Sequence, residues 1–120
     1  MDSPRIALIR RLFWLMEDDI GDAAEELLAH SAEDVVFQPH TAQGRELRGH
    51  DELREFWAGF EGEGRQLRVG AYSMTEDGDT VVVSGWVRSI DEGRLADTQA
   101  RWVYRFDDQD KVVSARVERV

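Results

Sequence analysis

The sequence predicts an α+β domain in which three helices precede and pack on a mainly antiparallel sheet. Apolar residues recur at helical spacing in three stretches before residue 61. From Leu67 onward the apolar period changes to two, the period of a half-buried strand. Short polar clusters rich in aspartate and glycine then cut that second region into strand-length pieces. The length of 120 residues suits one domain covering 1–120.

Residues 4–19 read as the first helix. Ser3 is the expected N-cap, and Pro4 stands at the first helical position, where its missing N–H costs nothing. Leu8, Ile9, Leu12, Phe13 and Met16 share one face, with Arg10, Arg11, Glu17 and Asp18 largely opposite. A second helix is expected over 21–31, with Ala24, Leu27 and Leu28 inward. Asp34 to His40 reads as a strand that stops near Pro39, because proline cannot donate to a ladder. A polar loop from Thr41 to Gly49 follows, with room for a very short strand over Glu46 to Arg48. The third helix is expected over His50 to Phe60, where Leu53, Phe56, Trp57 and Phe60 form a one-sided stripe that Gly62 and Gly64 end.

Strands are expected at 67–75, 79–90, 95–107 and 111–119, joined by short polar turns of hairpin type. If Glu92-Gly93 is a two-residue turn, Asp91 pairs with Arg94 and the rest of the register follows. Val81, Val83, Gly85, Val87 and Ser89 then share the inner face with Ala96, Thr98, Ala100, Trp102 and Tyr104. Ser84, Trp86, Arg88 and Ile90 lie outside with Leu95, Asp97, Gln99, Arg101 and Val103, and Arg88 stands opposite Asp97 as a cross-strand ion pair.

Composition excludes several functions. An apolar fraction of 42%, with four tryptophans among the aromatics, is enough to build a core or line a cavity. A net charge of −10 repels phosphate backbones and anionic lipid, so neither nucleic acid nor a membrane surface is an expected partner. Without cysteine there is no disulfide, thiolate metal site or thiol nucleophile. His30, His40 and His50 lack metal-ligand spacing, so no metal and no cofactor are expected. No signal peptide and no apolar run of about 18 residues is visible, and the expected location is cytoplasmic.

Asp34-Val-Val-Phe-Gln-Pro-His40, followed by Gly49-His-Asp-Glu-Leu-Arg-Glu-Phe-Trp57, resembles the signature of SnoaL-like and ketosteroid isomerase-like proteins of the nuclear transport factor 2-like superfamily. The last hairpin, Tyr104-Arg-Phe106 to Lys111-Val-Val-Ser114, is similar too, and the element order agrees from end to end. The resemblance implies a cystatin-like cone: a strongly curved antiparallel or mixed sheet with three helices on its concave face. It also implies a homodimer through the outer sheet face, here Trp86, Arg88, Gln99 and Arg101.

The scaffold hosts isomerases, dehydratases, cyclases, epoxide hydrolases and non-catalytic modules, so function has to come from the cavity. The isomerases place a general base immediately before the proline, where this chain has Gln38. Their first-helix tyrosine falls on Leu12 by helical phase, or on Trp14 by ungapped counting, and their strand aspartate falls on Trp102. The epoxide hydrolases need an Asp-Arg-Asp set in the cavity, but Arg88 and Asp97 fall outside. Gln38 and His40 remain the catalytic candidates, Gln38 as a hydrogen-bonding amide and His40 as a general base or a solvated loop histidine. His30 and His50 read as structural.

A ligand-binding cavity would be lined by Leu12, Phe13, Gln38, His40, Phe56, Trp57, Trp102 and Tyr104. The expected function is the binding of a small apolar ligand. The alternatives are an isomerase, dehydratase or hydrolase working in the same cavity, and a non-catalytic dimerisation module with a filled cone.

Overall fold

The structure is a computed structural model and describes residues 3–18, 20–38, 46–62, 66–91 and 94–119. Helices α1 (Pro4–Asp18) and α2 (Ile20–Ala29) lead into β1 (Ser31–Gln38) and β2 (Leu47–Arg48). Helix α3 (Gly49–Gly62) precedes the strands β3 (Gln66–Asp77), β4 (Thr80–Asp91), β5 (Arg94–Phe106) and β6 (Val112–Arg119). The strands form one sheet in the order β2-β1-β6-β5-β4-β3. All neighbours run antiparallel except β1 and β6, which pair in parallel, so the sheet is mixed.

Local chemistry accounts for the element ends. The Ser3 hydroxyl accepts the Ile6 backbone N–H at 3.1 Å, which caps α1 as expected. Ser31, expected in the second helix, instead opens β1. Its hydroxyl donates to the Leu27 carbonyl and closes the last turn of α2. Strand β1 therefore starts three residues earlier than Asp34, while its expected continuation to His40 lies outside the described residues. Gly49 turns the chain from β2 into α3 at φ 79°, a left-handed conformation that a Cβ would oppose.

The register expected for the second hairpin is the one observed: Asp91 pairs with Arg94, Arg88 with Asp97 and Val83 with Trp102. Register shifts interrupt the ladders at Tyr72 in β3, between β5 and β6 beside Phe106, and between β1 and β6. Such bulges add a residue on one strand and bend it, which curves the sheet.

The concave face carries the core. Ile9, Leu12 and Phe13 of α1, Leu53 of α3, and Val81, Val83, Trp102, Tyr104 and Val112 of the sheet are buried in one cluster. Ile9 and Leu53 are sealed completely, so truncating either to alanine costs about 2–5 kcal/mol. Helix α1 lies over β3 and β4, α3 over β1 and β2, and α2 links the two helices. None of the described helices is long and apolar enough to cross a membrane.

Candidate functional site

The concave face is where helices and sheet bring together most of the side chains expected to line a cavity. Leu12 (2% exposed) and Phe13 project from α1 as the helical phase requires, whereas Trp14 is 60% exposed. Leu12 is therefore the residue that α1 presents to the interior. The Phe13 ring meets Trp102 edge-on, with centroids 4.9 Å apart and planes at 85°, a favourable aromatic geometry. A second aromatic group lies between β1 and α3. Phe37 and Trp57 stand 5.2 Å apart, and Phe56 and Trp57 6.1 Å apart. Phe56 and Trp57 are half-buried, as is Met16, so together they form the partly covered rim of the apolar cluster.

Gln38 does not join them, which corrects the expectation that it is the polar group of the cavity. In the parallel ladder Phe37 pairs with Ala115 and Gln38 with Arg116. Ala115 pairs with Tyr104 on the concave face, while Arg116 is exposed on the convex one. Successive strand residues alternate sides, so Phe37 faces in and Gln38 faces out. Its amide Nε2 lies 3.5 Å from Glu46 Oε2, on the exposed side of the β1–β2 pair. Phe37 is thus the wall residue that the family comparison passed over. The alternation of Val35 and Phe37 was the signal that could have found it. His40 lies outside the described residues.

Two other histidines have structural partners. His50 Nε2 is 3.1 Å from the Ala32 carbonyl oxygen, and His30 Nε2 is 3.3 Å from Glu26 Oε1. Arg88 and Asp97 form a two-point ion pair at 2.8 and 3.1 Å on the convex face, outside any cavity. That pair lowers the Asp97 pKa, chiefly through the hydrogen bonds from Arg88. Inside, burial raises the Tyr104 phenol well above its ordinary value, so it stays protonated at any physiological pH. Among the described residues no three histidine, aspartate or glutamate side chains are grouped to hold a metal ion.

An open depression of about 920 Å³ lies elsewhere, on the convex side, bordered by Asp34, Glu46, Arg48, Arg105 and Ser114. Arg48 pairs there with Glu46, and Arg105 lies 3.9 Å from Asp79. Arg48 and Arg105 are thus paired within the chain and exposed to solvent, so they offer a ligand little net attraction.

The curved mixed sheet, the three helices and an aromatic concave face define a nuclear transport factor 2-like α+β protein. The chain belongs to the SnoaL-like domain family, whose profile matches residues 10–115. It is similar in structure to an NTF2-like protein of unknown function from Burkholderia pseudomallei (TM-score 0.83, 21% identity, covering 99% of this chain and 92% of that one). TerC co-crystallised with polyporic acid is similar as well (TM-score 0.80, 22% identity, 98% and 92% covered). So is a putative SnoaL-like polyketide cyclase from Jannaschia sp. CCS1 (TM-score 0.72, 21% identity, 99% and 90% covered). No curated protein matches the chain by sequence. At these identities the likeness is one of fold.

Proposed function

We propose that this SnoaL-like domain binds a small apolar ligand between α1, α3 and the concave face of the sheet. The observation that carries the reading is the aromatic wall: Phe13 against Trp102, and Phe37 against Trp57, with Phe56 and Trp57 only half covered at the rim. Pockets for small molecules are concave and mainly apolar, with few polar groups. A structural neighbour co-crystallised with polyporic acid supports the reading at the level of the scaffold.

Binding is favoured over isomerase-type turnover. Ketosteroid-type chemistry needs a carboxylate to move a proton and acidic donors to hold the enolate. Gln38 has no basic lone pair and faces away, and Leu12 offers no phenol. Losing a general base typically costs a factor of about 10²–10⁴ in rate.

The test is a thermal-shift series with one- to three-ring apolar compounds on the wild type and on Ala115→Leu. Ala115 is buried between Phe37 and Tyr104 on the concave face. A ligand at about one hundred times its Kd adds about 2.7 kcal/mol and raises Tm by several degrees. The added methylenes of Ala115→Leu occupy a cavity with little loss of stability and abolish the shift. A filled cone gives the opposite result: no compound raises Tm, and Ala115→Leu overpacks the core at about 1–3 kcal/mol.

The same reading includes a homodimer through the convex face. Tyr72, near Trp86, is 66% exposed there, and Leu95, farther along the same face opposite Ile90, is 60% exposed. The ion pairs Arg88–Asp97 and Arg101–Glu118 balance charge on that face of a chain that carries −10 overall, which lets two copies approach.

A further inference from the structure

Two buried side chains on the concave face carry polar groups without a hydrogen-bond partner among the described residues. Trp102 (5% exposed) and Tyr104 (4% exposed) lie two residues apart on β5 and therefore on one side of the sheet. Neither the Trp102 Nε1–H nor the Tyr104 hydroxyl finds a hydrogen-bond partner among the described residues. Buried tyrosines and tryptophans ordinarily do find one, because a desolvated donor left unpaired is unfavourable. Yet no side-chain nitrogen or oxygen among the described residues is both sealed and unpartnered. Each of these two polar atoms must therefore keep a small opening, and their side of β5 is the one that faces α1.

The surroundings narrow what such an opening accepts. In the flanking rows Val81 and Ala115 stand beside Tyr104, Val83 and Val117 beside Trp102, and Phe13 closes on the Trp102 ring. All are apolar. A carboxylate or ammonium placed there would be desolvated without a counter-charge, whereas a neutral oxygen would need only a donor. The indole N–H can only donate. The phenol is held protonated by burial, so it too serves as a donor rather than a base.

We infer that the Tyr104 hydroxyl, with the Trp102 indole N–H on the same face of β5, is the polar anchor of the ligand site. The ligand is then an uncharged, mainly apolar molecule with a hydrogen-bond-accepting oxygen, of the ketone, quinone or ester class. This rests on the cavity reading above and replaces Gln38 as the polar group of the site.

The experiment compares benzophenone with diphenylmethane, which has the same two rings and no carbonyl. Binding is measured by titration calorimetry on the wild type and on Tyr104→Phe, alongside the Tm of both proteins. Expected is a threefold to tenfold loss of benzophenone affinity in the variant, the worth of one net hydrogen bond, with diphenylmethane unaffected. The Tm of Tyr104→Phe should equal or exceed that of the wild type, because no fold contact is removed. Equal effects on the two compounds, or none on either, would overturn the anchor while leaving the cavity standing. Failure of both compounds to bind the wild type would remove the cavity reading and the anchor together. A Tm lower by several degrees would show that the hydroxyl serves the fold, and would overturn the anchor independently of any ligand.

Discussion

The indole of Trp86 covers Gly70: a Cβ built on Gly70 would stand 2.4 Å from the ring's Cε2 and Nε1 atoms. The two residues are direct partners in the β3–β4 ladder on the convex face. Glycine there leaves backbone bare, and the ring fills the space that a side chain would have taken. Trp86 also receives the Arg88 guanidinium, 5.8 Å from the ring centroid.

This arrangement sets the shape of the proposed dimer face. Gly70→Ala must push the indole away, and is expected to cost about 1–3 kcal/mol in urea unfolding. Trp86→Glu is expected to give a monomer by light scattering, because a charge would be buried where an aromatic anchor was. A wild-type protein that is already monomeric at micromolar concentration would remove the dimer from the reading.

Arg5 ties the start of α1 to two hairpin turns. Its Nε lies 2.7 Å from Asp110 Oδ1, and its Nη atoms donate to the carbonyls of Gly78 and Asp107 at 3.1 Å each. The guanidinium also lies 5.3 Å from the Phe106 ring centroid. Arg5→Met should lower stability by about 1.5–3 kcal/mol, the usual range for hydrogen bonds to a charged group. Arg5→Lys should recover little of it, since a lysine lacks the planar fork that reaches three acceptors at once. Full recovery in the lysine variant would reduce the role of Arg5 to its charge.

Asp107 gives the last hairpin a pH dependence. Its Oδ1 accepts the backbone N–H of Lys111 at 3.0 Å and of Gln109 at 2.8 Å. Those bonds, Lys111 first, hold the carboxyl below its ordinary range. A lowered folded-state pKa means that the stabilisation is complete above the ordinary carboxylate range and disappears as pH falls through the lowered value. The Tm difference between wild type and Asp107→Asn should therefore be present at neutral pH and shrink as pH falls below the ordinary carboxylate range. A difference that stays constant would show that the carboxylate's charge does not matter there.

Gln38 supplies a negative test. Because it lies on the convex side with Arg116, Gln38→Ala should leave the affinity for any cavity ligand within about twofold, and Gln38→Asp should gain no proton-transfer activity. A large affinity loss in Gln38→Ala would mean that β1 pairs with β6 one residue out of the observed register.

Much of this fold is legible one residue at a time. The helical stripe from Leu8 to Met16, the β4–β5 register from Asp91–Arg94 through Arg88–Asp97, and the inward set of Trp102 and Tyr104 all follow from local period and turn chemistry. These contacts join residues close in sequence, so the pattern that specifies them sits in a single window. The side of the sheet taken by Gln38 was less legible, because Val35, Val36 and Phe37 are all apolar and their alternation is ambiguous until β6 is in place. It depends on which β6 residue stands beside it, and β1 and β6 are parallel strands whose pairing no turn constrains. The bulge at Tyr72, the meeting of Arg5 with turns more than 70 residues away, and the lack of a partner for the Tyr104 hydroxyl among the described residues belong to the same class. Local period by itself determined the helices, the strands and the inward-facing aromatics. Only the tertiary structure decided which polar groups those aromatics leave unsatisfied, because hydrogen-bond satisfaction depends on neighbours that the chain brings from far along its length.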